Sequence, residues 1–117
     1  MKQYNIEYWN NYKKPSHNVE AKAIPGDYVL EIGGLLYLVQ RKNEANNIVC
    51  FRIEESDMTV LTSFLILRKW LIAQNILYIR VEGTKNRYNF LKKLDLDGFN
   101  VRQADIEDKN VFYIKLA

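Results

Sequence analysis

Glu54, Glu55 and Asp57 place three carboxylates within one short stretch. Carboxylates that close could serve as a general-base cluster, moving a proton on a bound substrate. The simpler account is structural. Ser56-Asp57 immediately precedes an apolar stripe, which predicts a helix N-cap with an acidic, solvated first turn. Asp95 and Asp97 flank Leu96 just before Gly98 and read as turn residues more than as paired acids. Cys50, the single cysteine, sits in the apolar run Ile48-Val49-Cys50-Phe51, which predicts a buried free thiol in a strand. A catalytic thiol would want a histidine nearby. The chain has only His17, in a polar loop beside Ser16 and Asn18, so no Ser/His/Asp or Cys/His grouping can be specified. One cysteine and one histidine also fall short of a zinc ligand set, and no metal site is predicted. No Walker or dinucleotide fingerprint occurs.

Two further groups of side chains are candidates for binding. Lys85, Arg87, Lys92 and Lys93 make one side of a predicted helix basic, which is a solvated face or a set of phosphate contacts. Tyr4, Tyr8, Trp9 and Tyr12 crowd the first stretch of the chain, ahead of Tyr28 and Tyr37. Tyrosine and tryptophan combine apolar area with a polar tip, so these four either cover one end of a sheet or dock on a partner. The segment 1–26 is accordingly a cover or docking segment.

The elements that must position these residues follow from periodicity. Tyr4, Ile6 and Tyr8 alternate as in a strand, while Tyr4, Tyr8 and Tyr12 share helical spacing. Residues 10–16 read as a loop. Tyr28–Ile32, Gly33-Gly34 and Leu35–Val39 predict a hairpin, because a two-residue turn demands the positive φ angles that glycine supplies. A polar turn over 41–47 leads to a third strand, 48–53. A helix is predicted over 60–74, with Asn75 as its C-cap, then a strand over 76–82 whose nearly continuous apolar run suits burial on both faces in a parallel pair. A second helix over 85–96, a strand over 99–104, a charged turn over 105–110 and a strand over 111–116 complete the order. The fold class is α/β: an antiparallel meander followed by β-α-β-α-β-β in one mixed sheet. Strands 48–53 and 76–82 are expected to lie parallel, with helix 60–74 crossing between them.

Length and composition bound the function. At 117 residues the chain holds one domain, 1–117, and its 48% hydrophobic content is that of an ordinary folded protein. The net charge of +3, from 17 basic and 14 acidic residues, is too mild to announce a nucleic-acid binder. Residues 1–20 are polar and aromatic throughout, so no signal peptide is predicted, and no apolar run approaches the roughly 20 residues of a membrane span. A lone cysteine fits a reducing compartment, and a cytoplasmic location is expected.

The helix 60–74 leading into Ile76–Val81, Asn86 opening the next helix, Gly98-Phe99 ending it, and a closing hairpin with Tyr113 together form a V…N…GF…Y pattern. In this pattern and in its order of elements the chain resembles the GNAT-type N-acetyltransferase superfamily over residues 27–116. The resemblance implies a GNAT-like mixed sheet and, in an active member, a Gly-rich loop whose amides hold the acyl-CoA pyrophosphate at a helix N-terminus. Here the matching segment is Glu54-Glu55-Ser56-Asp57-Met58-Thr59, without glycine or a basic residue, and its carboxylates would repel a pyrophosphate. The family's tyrosine acid has no counterpart near Lys93-Leu94, and Tyr88, a turn earlier, reads as a packed residue. No catalytic or cofactor-binding residue is therefore carried over, and no cofactor is predicted. The expected function is a non-catalytic GNAT-like interaction or structural protein with a protein partner or larger assembly, in type similar to a phage or viral accessory or virion component. The alternatives are a divergent acyl-CoA-dependent N-acetyltransferase and, more weakly, a nucleic-acid-associated protein using the basic helix. An open, basic-lined cleft between strands 48–53 and 76–82 would favour the enzyme, and a filled one the binder.

Overall fold

The computed structural model describes residues 1–14, 21–83, 90, 91, 93, 100–106 and 109–117. It is a mixed α/β protein. Seven strands form one sheet: β1 (Lys2–Tyr4), β2 (Tyr28–Ile32), β3 (Leu35–Gln40), β4 (Asn46–Arg52), β5 (Tyr78–Gly83), β6 (Asn100–Ile106) and β7 (Lys109–Lys115). Their spatial order is β1-β2-β3-β4-β5-β7-β6. Helix α1 (Ile6–Asn11) follows β1, and α2 (Val60–Ala73) connects β4 to β5.

The Gly33-Gly34 turn holds φ angles of 57° and 78°, both positive, as a type I′ hairpin requires. It sets the register Ile32↔Leu35 through Tyr28↔Val39. Strands β4 and β5 are parallel, paired Asn46↔Ile79, Asn47↔Arg80 and Ile48↔Val81, with α2 between them in sequence as expected. All the other pairings are antiparallel.

Helix α2 has its N-cap at Thr59, whose Oγ1 accepts from the Thr62 amide at 3.1 Å, and not at Ser56-Asp57. Ser56 instead closes a turn, its Oγ accepting from the Met58 amide. At the other end Gln74 is the C-cap, and Asn75 stands one residue beyond it with φ of 61°, a left-handed conformation that asparagine tolerates. Phe64, Leu67 and Leu71, at helical spacing, are buried against the sheet. Ser63 is buried among them because its hydroxyl has work to do. It donates to the Ile32 carbonyl at 2.9 Å and lies 2.8 Å from the Tyr37 hydroxyl.

Apolar residues fill both faces of the sheet unequally. On one face, α2 with Phe90 and Leu91 packs over β2 to β7. On the other, α1 packs Trp9 over β2, β3 and β4. Several expectations change here. The N-terminal segment is neither all strand nor all helix: Asn5 ends β1 and caps α1, accepting from the Tyr8 amide. Asn46 and Asn47 belong to β4 and not to the preceding turn, because Asn47 bonds sideways to Gln40 and Arg80. Strand β5 is not buried on both faces: Ile79 and Val81 are buried, while Tyr78, Arg80 and Glu82 stand on the other side. Strand β6 runs through Ile106 and β7 starts at Lys109, so most of the expected charged turn over 105–110 is ladder. Of the second predicted helix, Phe90, Leu91 and Lys93 are described and have helical backbone.

Candidate functional site

The first place to look is the space between β4 and β5. Their ladder stops at the Ile48↔Val81 pair, although β4 continues to Arg52 and β5 to Gly83. The wedge beyond that pair is occupied. Tyr37, Cys50, Val60, Phe64, Phe90 and Leu91 line it together with Ile48 and Val81, leaving about 20 Å³. Phe64 and Phe90 meet there with ring centroids 5.7 Å apart. That volume is about the minimum for one water, and its walls are apolar, so nothing there would hold one. Cys50 is half-buried, forms no disulfide and faces this wedge. Among the described residues, no cation lines it.

Three amides of the loop 53–59, those of Ile53, Glu54 and Met58, are bonded internally. Ile53 and Glu54 donate to the Gly34 carbonyl, Met58 to Ser56, and Thr62 to the Thr59 side chain. A pyrophosphate at this helix end would need such donors unpaired. Glu54, Glu55 and Asp57 are all exposed, and among the described residues no group of carboxylates, histidines or cysteines could hold a metal.

The N-terminal aromatics are layered on the sheet. Tyr4 and Tyr8 stack with centroids 3.8 Å apart and planes 7° from parallel. Tyr12 and Trp9 lean on Phe51 at 5.5 and 5.3 Å. Trp9 is wholly buried, and its Nε1 donates to the Ala21 carbonyl at 2.8 Å. Asn10 clamps the same passing segment, donating to the Ala23 carbonyl and accepting from the Ala23 amide. Lys14 donates to the Trp9 and Tyr12 carbonyls and lies over the Trp9 ring. Burial is the main cause that pushes the Tyr4 and Tyr8 hydroxyls above the ordinary tyrosine value, with Glu31 adding for Tyr4 and the Tyr4 hydroxyl for Tyr8. Burial pulls the Lys14 ammonium down. Of the four aromatic candidates, Trp9 is thus taken up by the core, while Tyr4, Tyr8 and Tyr12 are half-buried along the edge of the same layer.

Of the basic helix residues, Lys85, Arg87 and Lys92 lie outside the described residues, as do His17, Tyr88, Asp95 and Asp97. Lys93 is described and exposed.

A second polar surface has no precedent in the motifs. The face that α1 covers over β2 to β4 continues across β5, β7 and β6. There, among the described residues, the apolar layer stops at β4. Tyr78 pairs with Lys115, and Arg80 with Tyr113, which in turn pairs with Arg102. Tyr78 is 51% exposed, Arg102 and Lys115 are exposed, and the Arg102 guanidinium lies 5.1 Å from the Tyr113 ring centroid. Arg80 donates to Asn47 at 3.0 Å and to Glu82 at 2.9 Å. An open groove of about 360 Å³ runs over this corner. One signal was present in the sequence: Tyr78, Arg80 and Glu82 alternate with Ile79 and Val81, the period of a half-exposed strand.

Compared with known proteins, the chain matches no family model, no curated protein and no solved structure.

Proposed function

We propose that this chain is a non-catalytic binding module built on a GNAT-like sheet. The observation that carries the reading is the apolar filling between β4 and β5, where an acyl-CoA enzyme would need an open cleft lined by donors. The parallel β4–β5 pair with α2 between them, and the meander before it, support the GNAT-like description of the sheet. The loop 53–59 supports the non-catalytic part, because its exposed carboxylates disfavour a pyrophosphate and the amides of Ile53, Glu54 and Met58 are already bonded. Isothermal titration with acetyl-CoA tests this. The expected result is no measurable binding up to millimolar ligand. A dissociation constant in the micromolar range, lost in Met58→Asp, would overturn the reading in favour of a divergent N-acetyltransferase.

A further inference from the structure

We propose that the sheet face carried by β5, β7 and β6 binds single-stranded nucleic acid, with Tyr78 and Tyr113 as stacking platforms and Arg102 and Lys115 as phosphate contacts. The proposal rests on the reading of the chain as a binding module and supplies the chemistry of the partner.

The register sets the geometry. Tyr78 and Lys115 share one row across β5 and β7, and Arg80, Tyr113 and Arg102 share the next across all three strands. Cross-strand partners project on the same side of a sheet, so these groups face one way. Tyr78 and Tyr113 are diagonal neighbours on adjacent strands, about 7–8 Å apart. That leaves room for two bases, one against the Tyr78 ring and one against Tyr113 with the Arg102 guanidinium that lies over it. Arg102 extends the platform, because its guanidinium already lies over the Tyr113 ring and offers a second planar surface.

Charge is arranged to match. Arg102 and Lys115 are exposed at the groove, where a backbone phosphate would come within reach. Arg80 is held by Asn47 and Glu82, so it serves as the fixed floor of the row and not as a mobile phosphate contact. Among the described residues, Glu44 is the one acidic residue lining the groove. An acidic peptide would answer the cations but leave Tyr78 without a planar partner. A duplex would present phosphates but keep its bases stacked on one another. Unpaired bases on a charged backbone answer both features at once.

Fluorescence anisotropy tests this, with the full chain titrated into a labelled oligothymidylate of about 12 nucleotides. The expected dissociation constant is about 1–100 μM at physiological salt. Tyr78→Ala should weaken binding about 10-fold, the loss of one stacked base, while Tyr78→Phe, which keeps the ring, should bind as the parent does. Arg102→Ala together with Lys115→Ala should flatten the log–log salt dependence by about 1.4, the share of two cations on a single strand. Lys69→Ala, exposed on α2 over the opposite face, should change nothing. Circular dichroism melts of each variant separate lost binding from lost fold. Absence of binding at several hundred micromolar would overturn the proposal. So would an unchanged affinity in a folded Tyr78→Ala, or equally tight binding of a duplex or of polyglutamate, the last of which would reassign the face to an acidic protein. None of these results touches the acetyl-CoA titration. Conversely, acetyl-CoA binding that survives Tyr78→Ala would sink the non-catalytic reading alone.

Discussion

Trp9→Ala tests whether the N-terminal layer belongs to the fold. The indole is wholly buried, tilted against Phe51 at 5.3 Å, and its Nε1 donates to the Ala21 carbonyl at 2.8 Å. Truncating a buried tryptophan to alanine costs about 3–5 kcal/mol, the sum of lost transfer free energy and the cavity left behind. A net hydrogen bond contributes about 1 kcal/mol within that range. Against a total stability of about 5–15 kcal/mol, a loss near 4 kcal/mol is a large fraction. With a urea m-value of about 1.5 kcal/mol/M, the midpoint should fall by about 2.7 M at unchanged slope. Trp9→Phe keeps a ring against Phe51 and gives up the Nε1 bond, so it should cost only about 1–2 kcal/mol. Equilibrium urea unfolding followed by far-ultraviolet circular dichroism reads both. Fluorescence of the other tryptophan, Trp70, packed edge-on to Tyr28 at 4.9 Å, reports the opposite face independently. If Trp9→Ala costs less than about 1 kcal/mol, the layer is a passive tail and the packing argument fails.

Gly34→Ala should destabilise by about 2–4 kcal/mol, because an alanine at φ of 78° is strained and its Cβ would strike the Glu54 carbonyl oxygen. A chemical melt showing a loss below about 1 kcal/mol would mean that the hairpin turn can move away from the loop 53–59. Alkaline pH should loosen the N-terminal layer. Raised tyrosine values in the fold contribute stability that is present below pH 10.0 and lost as the pH rises through the folded values. Lys14, with a lowered value, acts in the opposite sense. Thermal melts from neutral pH upward should therefore fall more steeply for the parent than for Tyr4→Phe combined with Tyr8→Phe, and equal slopes would refute the assignment.

Local chemistry alone determined much of this fold. Two adjacent glycines at 33 and 34 leave little choice but a tight hairpin, since both positions need positive φ. Val60, Phe64, Leu67 and Leu71 share one helical face whatever they pack on, and a strand on either side of such a helix is most simply read as a parallel pair. Other features depended on neighbours distant in sequence. Tyr4, Ile6 and Tyr8 satisfy both periods at once, and only the antiparallel pairing of Lys2–Tyr4 with Val29–Glu31 splits the segment into strand and helix. Asn46 and Asn47 look like turn residues until Gln40 and Arg80 give Asn47 partners inside the sheet. The pattern of β5 showed alternation, but a mixed run of Tyr, Ile, Arg and Val cannot say whether a helix covers its second face. Among the described residues the apolar cover of this face reaches β2 to β4, and the rows of Tyr78, Arg80, Tyr113, Arg102 and Lys115 acquire meaning only once β7 is inserted between β5 and β6. The filling of the β4–β5 wedge is likewise tertiary. It needs Phe64 from α2, Phe90 from a later segment and Tyr37 from β3 to converge, and no spacing within one element encodes that meeting.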